Sequence, residues 1–590
     1  MMRAWLALGS LGLMSMGSLA WADAPAVKDV QVSGRALDST APPTTLAQLA
    51  KDVPVHAPHA MVVSDQHYAT EVGVRILRAG GNAIDAAVAV GYAQAVVNPC
   101  CGNIGGGGYL VAHMADGQNL FLDFREKAPL KATPTIFQDD QGRVVPDRST
   151  LSYLGTGVPG TVMGLNEALQ RYGTMKLAQV IQPAIDLARN GFVLQQGDVN
   201  IFNRRVKDFA KEPNVAAIFL NHGQPWQVGE TLRQPALART LESIRDGGSK
   251  VFYHGPIAKA VVKASQANGG LLSLRDFADY TVQWDSPVQC DYHDYHLVSA
   301  PPPSSGGVTV CEILLQLQPY PLAKWGYASA QAIHYQVEAE RRAFADRNSV
   351  LGDPAFVHNP IAELLSPAHI AKLQSTIQPV KATPSSEIKG DLDGSEGTNT
   401  THYSVVDAKG NAVGVTYTIN FLFGTGHIAG DTGFFLNDEL DDFTSKPGVP
   451  NAFGLVQGKA NQVEPGKRPL SSMTPTVVLK DGKVFMVTGS PGGSTIISTV
   501  LQSILNVTQY GMNVQQAVNA PRMHHQWYPD QVNVEPGLLT PQVRQQLEQA
   551  GYHFHTVNSW GANEAILVDP SGGLDGANDR RRPAGLAAGY

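Results

Sequence analysis

Four segments of the chain read as β-hairpins. Tyr109–Phe124 turns at Asp116-Gly117, His402–Thr418 at Lys409-Gly410, Thr476–Thr488 at Asp481-Gly482, and Ala565–Gly576 near Pro570–Gly573. Each has apolar alternation on both arms and turn chemistry between them. Met61–Ser64 reads as a further short strand. Helical patterns lie at 69–79, stopped by Gly80-Gly81, and at 82–97, stopped before Pro99. More follow near 162–172, 177–190, 234–245, 330–348, 367–377, 496–510 and 541–550. Strand pairs set between helix pairs predict stacked antiparallel sheets covered by helices, a four-layer α/β (α+β) architecture.

Composition narrows the class. With 43% hydrophobic and 16% charged residues among 590, the chain can bury a large core, which excludes disorder, a coiled coil and a disulfide scaffold. A net charge of −7 argues against nucleic acid or an anionic membrane as partner. Arg3, the apolar run Ala4–Ala20 and Ala20-Trp21-Ala22 read as a secretion signal over 1–22, cleaved after Ala22, so the protein is expected in the periplasm or outside the cell. No other segment reads as a membrane span. Cys100 and Cys101 are adjacent and should not bridge easily. Export permits a Cys290–Cys311 bridge, with buried free thiols as the alternative. No Cys-x-x-Cys and no His-Glu-x-x-His occurs, so no metal or other cofactor is expected.

Three stretches read as irregular: the Pro/Ala/Thr-rich leader to about His59, the polar segment 379–399, and the Pro/Gly-rich loop or lid 444–466. The polar segment stops abruptly at Thr400, where strand alternation begins. Gly105–Gly108 suits either an anion or a tight turn needing backbone without Cβ, and the turn is favoured. Gly424-Thr-Gly426-His-Ile-Ala429 fits the dinucleotide fingerprint loosely but leads into Gly430-Asp431-Thr432-Gly433, not a helix, and is rejected. His524-His525 reads as structural, and Arg580-Arg581-Arg582 as a solvated patch. More telling are polar residues at strand ends: Arg125 after Phe124, Thr400 and Asn420 bounding a hairpin, Ser471-Ser472 before the next and Gly492-Gly493 after it, and an acidic turn with Glu439, Asp441 and Asp442. A cation, two carboxylates, hydroxyls and glycine amides together suit an α-amino acid.

Asn399-Thr-Thr-His-Tyr-Ser-Val-Val-Asp407 resembles the processing site of gamma-glutamyltranspeptidases. So do Asp123-Phe-Arg-Glu126, Pro301-Pro-Pro-Ser-Ser-Gly-Gly307, Arg468-Pro-Leu-Ser-Ser-Met473 and Gly489-Ser-Pro-Gly-Gly-Ser494. The likeness runs from about His59 to Tyr590. It implies the αββα sandwich of N-terminal-nucleophile hydrolases, split by self-cleavage at Asn399–Thr400 into a large subunit, 23–399, and a small catalytic subunit, 400–590, that pair with each other. It also implies gamma-glutamyl transfer from glutathione and related amides to amino acids, peptides or water. Thr400 would be the nucleophile, with the freed α-amine as its base, and Thr418 would lie near it. Gly492 and Gly493 would hold the oxyanion. Arg125, Ser471 and Ser472 would take the donor's α-carboxylate, and Asn420, Glu439 and Asp442 its α-ammonium. Phe453 would be an aromatic gate on the lid.

The match has departures. Many bacterial members carry Gln where Glu439 stands, and Phe421-Leu422-Phe423 replaces small hydroxyl residues, which makes the acceptor side more apolar. Two rivals stay open at this point. A cephalosporin or glutaryl acylase shares the fold and the threonine chemistry, but its donors lack the ammonium that an acidic pair would hold. A periplasmic amino-acid-binding protein would stay a single uncleaved chain.

Overall fold

The computed structural model describes residues 46–388, 400–449, 451, 455, 457–569 and 571–590. All four expected hairpins form, two in each of two seven-stranded sheets. The first sheet runs through Val55–Ala57, Leu574–Ala577, Ala565–Val568, Lys483–Thr488, Thr476–Lys480, Tyr295–Ser299 and Val288–Tyr292. The second runs through Leu586–Gly589, Met61–Ser64, Thr401–Val406, Ala412–Thr418, Gly107–His113, Asn119–Asp123 and Gln283–Asp285. Neighbouring strands in both are antiparallel.

The two-residue period of the strands sorts side chains into layers. Val62, Leu110, Ala112, Val413 and Val415 of the second sheet share a core with the helix Ala83–Val97, and Leu177–Asn190 packs behind that helix. Met61, Val63, Tyr109 and Val111 point the other way and join Leu297, Val477 and Val487 of the first sheet. Ile313, Phe344 and Val500 bring the helices Gly306–Leu317, Ala330–Val350 and Thr495–Thr508 into that same core. Helix, sheet, sheet and helix make the expected αββα sandwich. Ala83–Val97 is buried all round. It tolerates Asp85 and Gln94 because Asp85 caps the helix start and Gln94 donates to Asp65. Among the described residues no helix is long and apolar enough to cross a membrane.

Several expectations need correction. Part of the leader is ordered, since Val55–Ala57 is an edge strand paired to Leu574–Ala577. Residues 379–388 are anchored: Thr383 Oγ1 donates to Glu338 (2.6 Å), and Ser385 N–H donates to Asp530 (2.7 Å). Charges buried on the Ala330–Val350 helix take up hydroxyls that composition reads as solvated. The signal segment 1–22, residues 389–399 with Asn399, and Phe453 lie outside the described residues. Cys290 and Cys311 are bridged. Cys100 and Cys101 are bonded to each other as well, because the turn at 98–102 folds both side chains into one buried space. Arg581 and Arg582 are buried, Arg581 in ion pairs with Glu535 and Asp579, so the triple arginine is not a solvated patch.

Candidate active site

Strand register brings the sequence-predicted residues to one place. In the second sheet Thr401 pairs with Tyr417, Thr418 with Gly107, and Tyr109 with Asp123, so Thr400, Thr418 and the Asp123–Glu126 segment share one end of the sheet. In the first sheet Thr476 pairs with Thr488 and Ser299, which puts Ser471-Ser472, the 489–493 loop and the 301–307 loop together at that sheet's end. One cleft between them is lined by Thr400, Thr418, Asn420, Arg125, Glu439, Asp442, Ser471, Ser472 and Gly493. Every predicted site residue among the described ones lines it except Gly492, which is the neighbour of a lining residue.

The glycines are required by close packing. A Cβ on Gly106 would lie 1.8 Å from Thr418 O, and one on Gly107 would lie 2.4 Å from Phe124 O. The run is therefore backbone approach within the sheet and not an anion loop. Gly492 and Gly493 are different, with φ of 143° and 57° just before the Thr495–Thr508 helix. Among the described residues neither N–H donates to another group. Two free amides at a helix start make an anion-stabilising corner.

Asn420, also at positive φ (74°), is held by Thr418 Oγ1, which accepts its N–H at 2.8 Å, and by its own Nδ2 donating to Asp438 O at 2.9 Å. Asn and Asp tolerate this backbone region better than most residues. Ser304 and Ser305 hydroxyls donate to the Met473 and Ser471 carbonyls at 2.6 and 2.7 Å, which gives the 301–307 loop its role as a brace for Ser471-Ser472. The Arg468–Asp123 pair (3.1 Å) ties the two sheets' motifs together.

Arg125 is fully buried and ion-paired to both Glu439 and Asp442, with Glu126 at 3.6 Å. Asp123 accepts the Arg125 backbone N–H and pairs with the Arg468 guanidinium instead of that of Arg125. Burial pushes the carboxyls of Glu439 and Asp442 up, against the pull of Arg125. Burial likewise raises Glu126, to about 8, and neither of its oxygens has a hydrogen-bond donor. Three carboxylates thus share one paired guanidinium, and Glu439 Oε2 is left without a partner.

Sequence reasoning missed Arg347. It lines the cleft and donates to Ser472 Oγ (2.9 Å) and Ser305 Oγ (3.0 Å), and burial lowers it to about 10. It also missed Leu455, Leu470 and Met473. Leu455 places the 444–466 loop over the cleft, where Phe421 packs on it. Asn461 fastens that loop by donating to Asp442 O and accepting the Leu470 N–H. His524 and His525 are buried, with His524 Nδ1 on Ser498 Oγ and His525 N–H on Glu340, which agrees with the structural reading.

The model of the gamma-glutamyltranspeptidase family matches residues 69–589. The chain is 53% identical over 551 residues to a glutathione hydrolase proenzyme of Pseudomonas sp. (strain A14), covering 92% of this chain and 96% of the relative. It is 48% identical to that of Escherichia coli (strain K12), covering 91% and 93%. Among solved structures, the cephalosporin acylase of Bacillus halodurans superposes with a TM-score of 0.81 at 25% identity, covering 94% of this chain and 99% of that one. The motifs, the cleft they build and these relatives agree: the chain belongs to the gamma-glutamyltranspeptidase family.

Proposed function

We propose that the protein is an exported, self-processing enzyme that transfers the gamma-glutamyl group of glutathione and similar amides to water, amino acids or peptides. The observation that carries this reading is the meeting, in one cleft, of Thr400, the Gly493 amide with Gly492 next to it in the chain, and an under-paired arginine–carboxylate cluster. Residues 1–22 act as the signal. Cleavage of Asn399–Thr400 yields 23–399 and 400–590, and frees the Thr400 α-amine.

That amine accepts the Thr400 Oγ proton as Oγ attacks the γ-carbonyl. The Gly492 and Gly493 amides stabilise the oxyanion, and Thr418 supports the nucleophile. Collapse breaks the amide bond. The leaving amine takes the proton, and a gamma-glutamyl ester remains on Thr400. Water or an acceptor amine attacks the ester, gives its proton to the α-amine, and restores the hydroxyl. The donor's zwitterionic end enters the cluster: its α-carboxylate binds Arg125, Ser471 and Ser472, and its α-ammonium binds Glu439, Asp442 and Asn420. Excess negative charge at this cluster suits the incoming ammonium, which an acylase donor lacks.

N-terminal sequencing and intact mass of the purified protein test this. Two chains starting near Asp23 and at Thr400 are expected. Active enzyme with Thr400 internal to one chain would contradict it.

A further inference from the structure

Away from the cleft, three helices bring together a second set of ionisable groups. Gly306–Leu317 carries Glu312, Ala330–Val350 carries Asp346, and Pro367–Ser375 carries His369. One ligand-capable atom of each lies within 4.8 Å of the other two. His369 Nε2 stands 2.8 Å from Asp346 Oδ2. Glu312 is 1% exposed, and its Oε1 has no hydrogen-bond partner. The influences on its carboxyl are burial, the charge of the Asp346 carboxylate and a side-chain hydrogen bond with Asp346, with no arginine or lysine among them.

Two carboxylates facing each other in a buried place repel, and a buried charge without a partner is costly. Elsewhere this helix resolves the problem with arginine: Glu338 is paired to Arg342 at 2.8 Å. Among the described residues no arginine or lysine does the same for Glu312. We infer that Glu312, Asp346 and His369 hold a divalent metal ion, which supplies the missing positive charge. One imidazole and two carboxylates form a borderline N/O donor set, which suits Zn²⁺ better than the hard ions Mg²⁺ or Ca²⁺. His369 and Asp346 are 15% and 23% exposed in their side chains, so the open side admits the ion and completes its shell with water.

The site adds a metal link between helices already joined by Gln374 Nε2, which donates to the Leu315 and Gln316 carbonyls, and by Gln316 Nε2, which donates to the Ala339 carbonyl. Asp346 is followed by Arg347, which braces Ser472 in the cleft. The helix bearing His369 leads into the anchored stretch 379–388. The ion therefore acts as a staple behind the substrate cleft and takes no part in the chemistry. Its ligands come from three distant segments, so no local spacing motif reveals them.

The test uses the purified processed enzyme, dialysed against a chelator and then titrated with ZnCl₂ by calorimetry and thermal melting. Wild type is expected to bind one Zn²⁺ per molecule in a tight first step. With Zn²⁺ at about a hundredfold excess over Kd, its Tm should rise by roughly 2–5 °C. His369→Gln, at a part-exposed position, and Asp346→Asn should each lose that first step and most of the shift. Wild type with no stoichiometric step, or variants that match wild type in both readouts, would overturn the site. Equal stabilisation by MgCl₂ would overturn the metal class.

Discussion

Among the buried clusters of arginine and carboxylate in this fold, two are built in opposite ways. In the first, Arg581 and Arg522 share Asp579 and Glu535, and the remaining guanidinium N–H groups donate to the carbonyls of Val518, Ala520 and Trp560. Asp579 also accepts the N–H groups of Arg581 and Asn563. Burial alone would raise Asp579, but the two guanidinium groups hold it below the usual carboxylate range. In the second, Arg125 meets Glu439, Asp442 and Glu126, several oxygens lack donors, and burial wins. The same residue types give a saturated structural knot in one place and an unsaturated, cleft-lining site in the other. Ion pairs alone therefore do not mark a binding site in this protein.

The comparison can be broken by substitution. The largest effect belongs to Thr400, which lines the cleft beside the second cluster. Thr400→Ala removes hydroxyl and prospective base together, so gel analysis should show one unprocessed chain and assays should show turnover at background. Next, Arg125→Lys keeps the charge but loses the two-pronged geometry. Its kcat/KM should fall by about two to three decades, on the scale of losing one partner of a buried charge pair. Arg581→Lys should do the reverse: it should lose about 3–5 kcal/mol of stability, read by denaturant melts, while the folded enzyme keeps kcat/KM within about threefold. Equal behaviour of the two variants would erase the distinction.

The pH response should also separate them. Asp579 has a lowered pKa, so its stability contribution is present above the ordinary carboxyl range and is lost as pH falls through the folded value. Glu439 has a raised pKa, so its contribution runs the other way and is lost as pH rises. A bound ammonium offsets that loss. The Tm gain from added L-glutamate should therefore be larger at pH 8 than at pH 5. A gain independent of pH would mean the acidic turn does not meet the ammonium. The smallest effect concerns the acceptor. Amino-acid α-amines lose their proton near pH 8–9, slightly above the peptide reference. The ratio of transfer to hydrolysis should rise from about pH 7 to 9, and a flat ratio would contradict amine attack.

The legible parts of the molecule were the local ones. The hairpins showed because alternation and a turn residue pair lie within one short window, and Arg125, Thr400, Asn420 and Ser471-Ser472 showed because polar residues bound those arms. Arg347 did not, because it stands among Glu338, Arg341, Arg342 and Asp346, residue types that are mostly exposed and so do not single out one arginine. The fold buries that helix on nearly every side, so its charges pair inward. The arginines at 580–582 misled for the same reason: their partners Asp52, Glu535 and Asp579 include residues far away in sequence. The Cys100–Cys101 bond depended on a buried turn that no spacing rule reports.

The central claim is that the unsaturated cluster at Arg125, Glu439 and Asp442 exists to hold a donor's α-amino acid end. The most direct measurement compares kcat/KM for γ-glutamyl-p-nitroanilide and glutaryl-p-nitroanilide, which differ only in the α-amine. Leaving a desolvated carboxylate without its ammonium costs on the order of 3–5 kcal/mol, or roughly two to four decades. The account predicts that the glutaryl substrate is poorer by that factor. Comparable kcat/KM for the two would contradict it, and would place the protein with the acylases whose fold it shares.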